Sequence, residues 1–127
     1  MAGARILLVE DDDLNQRLVR TVLARSGDPV LRSACLVQAA SLAEARAALA
    51  SSAVDVVLLD MNLPDGNGLS LAAEVRHAGS GGPALVGLTG AAPDQRDAAL
   101  AAGCTAVLAK PYEAAQLCAL VSAALSN

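Results

Sequence analysis

The chain has 127 residues, a common size for a single domain and enough for one hydrophobic core. Hydrophobic residues make up 54% of the sequence and aromatic residues only 1%, so we expect a core of alanine, valine and leucine. The formal net charge of −4 gives no support for direct nucleic-acid binding.

The apolar and cysteine patterns exclude further classes of protein. No apolar run approaches the ~20 residues that a membrane-spanning helix needs, so we expect no membrane contact by this chain. Cys35, Cys104 and Cys118 are scattered and show no CxxC spacing. This pattern argues against a disulfide framework and a zinc site, and it favours a reducing, cytoplasmic location.

Five short apolar runs indicate β-strands. Four of them lack the alternation of period two, which is typical of parallel strands covered on both faces. The second run is weaker, and we predict that it lies nearer the edge of the sheet. The runs are Ile6 to Val9, Cys35 to Gln38, Val56 to Leu59, Ala84 to Leu88 and Ala106 to Ala109.

Five helical patterns lie between and after these strands. Leu14, Leu18 and Val22 recur every four residues and are predicted to line one face of the first helix, mostly in the core. A capping box predicts the start of the second helix, and a proline and a glycine bracket the fourth. The markers of the later helices are Ser41 to Glu44, Asn67 to Ala78, Pro93 with Gly103, and the trio Leu117, Val121 and Leu125.

Strands and helices therefore alternate along the chain. Parallel neighbours in a sheet need crossover connections, which helices supply. We predict an α/β fold with a doubly wound five-stranded parallel sheet, in which residues 1–127 form a single domain. The segment from Gly27 to Ala34 precedes the second strand and is predicted to be an extended surface loop.

Charged and hydroxyl side chains stand at the ends of four predicted strands. Glu10 and Asp11 follow the first strand, Asp60 ends the third, Thr89 ends the fourth and Lys110 ends the fifth. In a sheet of this type, ligands bind at the carboxyl ends of the strands, near the point where the strand order reverses. We therefore expect these residues to face one small volume.

The residue types in that volume suit a cation and a phosphate. Crowded carboxylates repel each other, and a hard divalent cation removes the repulsion. Mg²⁺ prefers oxygen ligands and keeps several waters, so two carboxylates and a backbone carbonyl suffice to hold it. Lys110 would add a permanent positive charge, and Thr89 a short hydrogen-bond donor. The set is suited to hold a dianion against one carboxylate.

A simpler interpretation stays open for each residue taken alone. The acidic residues 10–12 could cap the first helix, where acids interact favourably with the helix dipole, and Asp12 is expected to do so. Asp60 could begin an ordinary polar loop, and Lys110 could lie at the surface. A shared site explains all four strand ends at once.

Four motifs resemble those of the response-regulator receiver family, and the resemblance covers essentially the whole chain. They occur in the family's order at compatible spacing, which makes the set specific although each motif alone is weak. The resemblance implies a flavodoxin-like (βα)5 fold with strand order 2-1-3-4-5. The sequence is also similar to receivers of hybrid sensor kinases and to single-domain regulators. The motifs are Ile6 to Asp12, Val56 to Gly66, Leu88 to Gly90 and Ala109 to Tyr112.

The resemblance implies a phosphoacceptor and a metal site. Asp60 would take a phosphoryl group from a phosphohistidine of a histidine kinase or histidine phosphotransfer protein. Asp11, Asp60 and the backbone carbonyl of Asn62 would bind Mg²⁺, with Glu10 acting through water. The chain would then be a signalling domain of a two-component phosphorelay rather than an enzyme, although such domains catalyse their own phosphorylation and dephosphorylation.

The resemblance also implies how the phosphoryl group is sensed. Thr89 would swing toward it and Lys110 would pair with it, while the Lys110–Pro111 peptide is a candidate for the cis form. Phosphorylation would switch a protein-interaction surface toward a downstream partner. Because the first helix begins beside the acidic residues, we expect Asn15 and its exposed neighbours to contact the phosphodonor protein.

Two positions depart from the family's pattern. Val107 stands where the family often has an aromatic residue that moves together with the threonine. Gly90 replaces a frequent alanine directly after that threonine. We therefore expect the signal to pass through the backbone of residues 90–93 rather than through an aromatic side chain, because valine is short and stiff about χ1.

Two other functions stay open. A Mg²⁺-dependent phosphatase could form an aspartyl phosphate at Asp60, but Asp60-Met61-Asn62 lacks the second aspartate that would act as the general acid. A degenerate receiver could serve only as a protein-binding scaffold. The presence of Asp60, Thr89 and Lys110 argues against that interpretation.

Overall fold

Seven strands and six helices are present in the structure, a computed structural model that describes residues 4–51, 53–63, 66–77, 83–89, 93–109 and 112–126. In chain order they are β1 (Arg5–Val9), α1 (Asp13–Ala24), α2 (Pro29–Ser33), β2 (Cys35–Ala39), α3 (Leu42–Ser51), β3 (Val56–Asp60), β4 (Asn62–Leu63), β5 (Gly66–Asn67), α4 (Gly68–His77), β6 (Ala84–Thr89), α5 (Pro93–Ala102), β7 (Ala106–Ala109) and α6 (Ala114–Ser126).

Five of these strands form one parallel sheet in the order β2-β1-β3-β6-β7. Counted within this sheet alone, the order is 2-1-3-4-5, so the predicted fold class and strand order are confirmed. The weak second run is indeed an edge strand, β2. The remaining two strands, β4 and β5, form a separate antiparallel pair directly after β3.

Helices cover both faces of this sheet and divide the core into two layers. Alternate strand residues point to opposite faces, so Leu7 and Leu59 pack with α3, α4 and α5, whereas Ile6 and Leu58 pack with α1, α2 and α6. Both layers are built from aliphatic side chains, as the composition predicts. Within the described part of the chain, no helix combines the length and the apolar character needed to cross a bilayer.

The orientation of α1 differs from the prediction. Leu14 and Leu18 are exposed to 73% and 49%, and only Val22 of the predicted trio is partly buried against the core. Every fourth residue of an α-helix advances by about 40° around the axis, so a trio at this spacing drifts across the face. The helix packs instead through Val19 and Leu23, on roughly the opposite side from Leu14. The prediction that most of the trio lies in the core is wrong.

A short helix replaces the predicted loop between Gly27 and Ala34. The side chain of Asp28 caps α2 by accepting a hydrogen bond from the backbone N–H of Val30 at 2.9 Å, and Pro29 occupies the first turn. Leu31 is fully buried beneath the helix. The Asp-Pro pair is itself a helix-start signal, so the loop prediction was wrong because it treated these residues only as turn formers.

The other predicted helix ends agree with the structure to within one residue. α5 begins at Pro93 and ends at Ala102, and Gly103 follows it with a φ of +121°. Only glycine adopts that conformation without steric cost, which explains why a glycine follows the C-terminal end of α5. At α3, the Ser41 hydroxyl accepts a hydrogen bond from the Glu44 N–H at 3.2 Å, as the capping box predicts.

Cys104 lies buried beside the sheet, whereas Cys35 is exposed, and all three cysteines are free thiols. A Cβ atom added to Gly87 would lie 3.4 Å from the Cys104 sulfur, which places this thiol against the middle of β6. Burial disfavours the charged thiolate and raises the pKa of Cys104 from 9.0 to about 11. The fold therefore favours the neutral thiol.

Stability should fall in alkaline solution because of Cys104. The neutral thiol contributes fully below the unfolded pKa of 9.0, and its contribution is lost as pH rises toward the folded value of about 11. The total loss should be at most about 3 kcal/mol, because each pKa unit is worth about 1.4 kcal/mol and water screens part of the effect. Denaturant unfolding across this pH range should give a steeper decline for the unmodified chain than for Cys104→Ala. Cys35→Ala is the matched control and should keep the steep decline; equal slopes in all three proteins would contradict this assignment.

Candidate functional site

Three neighbouring strands bring their carboxyl ends to one edge of the sheet. β1 is followed by Glu10 and Asp11, β3 ends at Asp60 and β6 ends at Thr89. β3 lies between β1 and β6, and all three strands run in parallel. In this topology the strand order reverses around β1 and β3, which is where an open α/β sheet forms its binding crevice.

Three carboxylates meet at this edge. One oxygen from each of Glu10, Asp11 and Asp60 lies within 4.8 Å of the other two. Glu10 and Asp60 are only 2% and 5% exposed, whereas Asp11 is exposed, so the cluster opens to solvent on the Asp11 side. The structure therefore brings together the three acidic residues that the sequence predicted to share a site.

The segment after β1 is held by backbone and side-chain hydrogen bonds, and the N–H of Asp12 donates to the Glu10 carboxylate at 3.4 Å. The N–H of Glu10 donates to the carbonyl of Ala39 at 2.9 Å, and the Gln16 side chain donates to the Glu10 carbonyl at 2.5 Å. Asp12 caps α1 by accepting from the N–H groups of Leu14 and Asn15 at 2.8 and 3.3 Å. Asp12 thus has the capping role predicted for it, and Gln16 is a contributor that the sequence did not reveal.

The segment after β3 is also fixed by backbone hydrogen bonds. The N–H of Met61 donates to the Leu88 carbonyl of β6 at 3.1 Å, and the N–H of Gly68 donates to the Met61 carbonyl at 3.0 Å. Asn62, whose backbone carbonyl is a predicted metal ligand, begins β4 directly after Met61 and pairs with Asn67. Gly68 was not singled out from the sequence, where nothing distinguishes it from the other glycines.

The hydroxyl of Thr89 is buried, and none of the described residues is its hydrogen-bond partner. Thr89 is 1% exposed, and its Oγ1 has no hydrogen-bond partner among the residues that the structure describes. Asp60 pairs in register with Leu88, so Thr89 comes one residue beyond the neighbour of Asp60. A buried hydroxyl without a partner is costly, and an incoming anionic oxygen would satisfy it.

Several predicted features lie outside the described residues. They are Lys110, the Lys110–Pro111 peptide and the residues 90–92. β7 ends at Ala109, which pairs in register with Thr89, and Lys110 follows it in the chain. Val107 pairs with Gly87 and is partly buried against the core layer of α3, α4 and α5. The roles predicted for Lys110 and Pro111 stay predictions.

The donor set of the cluster suits a hard cation. All three side chains offer carboxylate oxygens, the ligand type that Mg²⁺ and Ca²⁺ prefer over nitrogen or sulfur. Two of these carboxylates are nearly inaccessible to water, and a bound cation would compensate for the charge that the three groups bring together. The acidic residues therefore fit the predicted Mg²⁺ site.

Comparison with known proteins places this geometry in a family. The profile of the response regulator receiver domain matches residues 6–122. The chain is 32% identical over 120 residues to the KDP operon transcriptional regulatory protein KdpE of Escherichia coli, covering 94% of this chain and 50% of that protein. It is 34% identical over 123 residues to the aerobic respiration control sensor protein ArcB of Escherichia coli, covering 95% of this chain and 15% of that protein.

Solved structures show the same fold. A two-component response regulator from Clostridium difficile superposes with a TM-score of 0.85 at 25% identity and 98% coverage of both chains. The receiver domain of the sensor histidine kinase PA1611 from Pseudomonas aeruginosa superposes with a TM-score of 0.83 at 29% identity, covering 99% of this chain and 100% of that one. That protein holds a magnesium ion in its active-site cleft.

The relatives include transcriptional regulators and sensor proteins, and the chain spans only half of KdpE and 15% of ArcB. What they share with it is the domain that the profile describes, over 117 of its 127 residues from Ile6 to Ser122. Sequence, strand order and strand-end chemistry agree, and the chain belongs to the response regulator receiver domain family of two-component signalling.

Proposed function

We propose that residues 1–127 are a phospho-accepting receiver domain of a two-component phosphorelay, with Asp60 as the acceptor. The observation that carries this proposal is the meeting of Glu10, Asp11 and Asp60 at the strand ends of a receiver fold. Asp60 is the member that ends a strand of the central sheet, between β1 and β6. Its backbone is therefore held by pairing with Leu88 of β6.

The proposed transfer uses Asp60 as a nucleophile. A carboxylate oxygen of Asp60 attacks the phosphorus of a phosphohistidine, so that a P–O bond forms while the P–N bond breaks and its electron pair returns to the imidazole. The partly buried site positions this carboxylate and excludes most of the surrounding water. Thr89 supplies a hydroxyl that can donate to a phosphoryl oxygen, and Lys110 is proposed to pair with another.

Mg²⁺ is the proposed cofactor of this transfer. Asp11, Asp60 and the backbone carbonyl of Asn62 would hold it, with Glu10 acting through water. When bound, the ion would neutralise the charge that gathers on the carboxylates and the phosphoryl oxygens. The all-oxygen donor set supports this choice.

Phosphorylation would then switch a protein-interaction surface. The Thr89 hydroxyl, which has no hydrogen-bond partner among the described residues, would gain a charge-assisted hydrogen bond when a phosphoryl group arrives, and this would bias the segment that follows β6. Val107 is only partly buried and too short to act as a swinging ring, so we propose that residues 90–93 carry the signal through their backbone. The downstream partner is a protein that binds this changed surface.

The proposed phosphodonor is a histidine kinase or a histidine phosphotransfer protein that docks on α1. This helix begins directly after the acidic cluster, and its exposed face carries Leu14, Leu18 and Arg17. Exposed leucines on a helix offer apolar area to a partner, and the flanking arginine can steer an acidic one. The three free cysteines support a reducing, cytoplasmic location for this exchange.

Asp60→Asn should abolish phosphorylation, because the amide keeps the shape of the side chain but removes the nucleophile. The protein is incubated with Mg²⁺ and phosphoramidate, and acid-stable, base-labile phosphate is counted. Asp97→Asn, an exposed change on α5, should label like the unmodified chain. Full labelling of Asp60→Asn would contradict the assignment, and no labelling of the unmodified chain would favour a scaffold.

Asp11→Ala should weaken Mg²⁺ binding by more than about 10-fold, since changes outside the ligand shell alone typically cost that much. Binding is measured by calorimetric titration, and labelling by phosphoramidate is followed with and without a chelator. Asp13→Ala removes an exposed acid of the neighbouring first turn of α1 and should leave both measurements unchanged. Labelling that proceeds equally well in excess chelator would show that the metal is not needed.

The double variant Leu14→Ser with Arg17→Glu should slow transfer from a phosphorylated histidine phosphotransfer domain by about 10-fold or more, the typical loss at a central interface residue. Labelling by phosphoramidate should be unaffected, because the acidic cluster is intact. Arg96→Glu on α5 makes the same charge reversal on the other face of the sheet and should slow neither reaction. Equal slowing with both donors would indicate damage to the site rather than loss of docking.

A further inference from the structure

Gly68, the first residue of α4, approaches the backbone of Asp60 more closely than any other residue type could. A Cβ atom built on Gly68 would lie 2.7 Å from the carbonyl oxygen of Asp60. It would also lie 3.1 Å from the Leu59 Cγ atom and 3.2 Å from the Met61 Cα atom. Non-bonded carbon contacts are most favourable at about 3.5–4.0 Å, so this position excludes a side chain.

The contact differs in kind from those of the other tightly packed glycines. A Cβ at Gly87 or Gly66 would meet the ends of side chains, Met61 Cε and Leu42 Cδ1, each at 3.1 Å. Such side-chain ends can rotate away. At Gly68 the nearest atom is a backbone oxygen of a strand in the middle of the sheet, and it cannot move alone.

Backbone hydrogen bonds hold the same peptide from two sides. β3 is paired with β1 and with β6, so Asp60 cannot shift without disturbing the sheet. The N–H of Gly68 donates to the Met61 carbonyl, and the N–H of Met61 donates to Leu88 of β6. An added side chain must therefore displace α4 together with the segment from Met61, which leads into Asn62.

We propose that Gly68 is a positioning residue for the phosphoacceptor site. Its bare Cα lets the first turn of α4 lie against the Asp60 peptide, and this contact sets the Asp60 carboxylate and the Asn62 backbone relative to Asp11. The inference rests on the proposed function, since it assigns Gly68 a part in arranging that site.

Small displacements of the ligands matter here because Mg²⁺ tolerates little distortion of its coordination geometry. The ion demands near-ideal octahedral geometry with ligand distances of about 2.0–2.1 Å. Relieving the 2.7 Å approach to the distance of an ordinary contact requires a shift of several tenths of an ångström. Changes to groups that orient metal ligands typically weaken binding by about 10- to 100-fold, and we expect Gly68→Ala to fall in that range.

The test compares Gly68→Ala with Gly27→Ala, because a Cβ at Gly27 meets nothing within 4 Å. Mg²⁺ titration followed by NMR gives the dissociation constant of each folded protein, and phosphoramidate labelling at saturating Mg²⁺ gives the rate. A third variant, Val121→Ala, removes packing from α6 in the other core layer and serves as a stability control. Thermal unfolding measures the stability of each variant, so that any loss of Mg²⁺ binding in Gly68→Ala can be compared with that of a similarly destabilised protein.

The inference predicts weaker Mg²⁺ binding and slower labelling in Gly68→Ala alone. Val121→Ala should unfold at a lower temperature yet bind Mg²⁺ like the unmodified chain. If Gly68→Ala binds and labels normally while the unmodified chain does the same, Gly68 has no positioning role, although the proposed function stands. If the unmodified chain itself neither binds Mg²⁺ nor accepts phosphate, the proposed function fails instead.

A second measurement covers the case in which Gly68→Ala does not fold. In the unmodified chain, Mg²⁺ should slow hydrogen exchange at the Gly68 amide. This amide donates to the Met61 carbonyl, and a bound ion would stabilise the segment between Met61 and Gly68. The amide of Gly27 serves as the reference and should exchange at an unchanged rate. If the exchange rate of the Gly68 amide does not change when Mg²⁺ is added, the inference is overturned.

Discussion

The burial of carboxylates at the end of an apolar sheet is the constraint on which this structure depends. Glu10 and Asp60 follow strand segments whose side chains are completely buried, and both acids are themselves nearly inaccessible. Three carboxylates that share so small a volume form the kind of oxygen ligand set that hard cations prefer. This arrangement is the basis of the proposed Mg²⁺ site and of the proposed phosphoacceptor.

The parallel sheet makes that concentration of charge possible. Adjacent parallel strands end at the same edge, so residues far apart in sequence, such as Asp11 and Asp60, become neighbours without any local motif joining them. The apolar strands supply rigidity, because each central strand is hydrogen-bonded on both sides and covered by helices on both faces. Polar chemistry is thus confined to the strand ends, where water and partners can reach it.

The sequence was sufficient for the features that depend on local pattern. Strand positions, the helix stop at Gly103 and the strand-end acids follow from apolar runs, backbone conformation and residue type. The face of α1 did not follow, because Leu14 and Val19 are equally apolar and only packing decides which is buried. The close approach of Gly68 could not be predicted either, since it depends on how α4 meets β3 in three dimensions.

The hydrogen bond from the Ser122 hydroxyl to the Asp28 carboxylate, 2.9 Å long, joins residues 94 positions apart in the chain. The same carboxylate caps α2, whose Leu31 is buried in the layer that α6 completes. During synthesis the N-terminal third therefore emerges long before its packing partner. Closing so distant a contact carries a loop entropy that local contacts avoid. The contact between α2 and α6 therefore carries this entropic cost, whereas the contact of α2 with its neighbour α1 is local and does not.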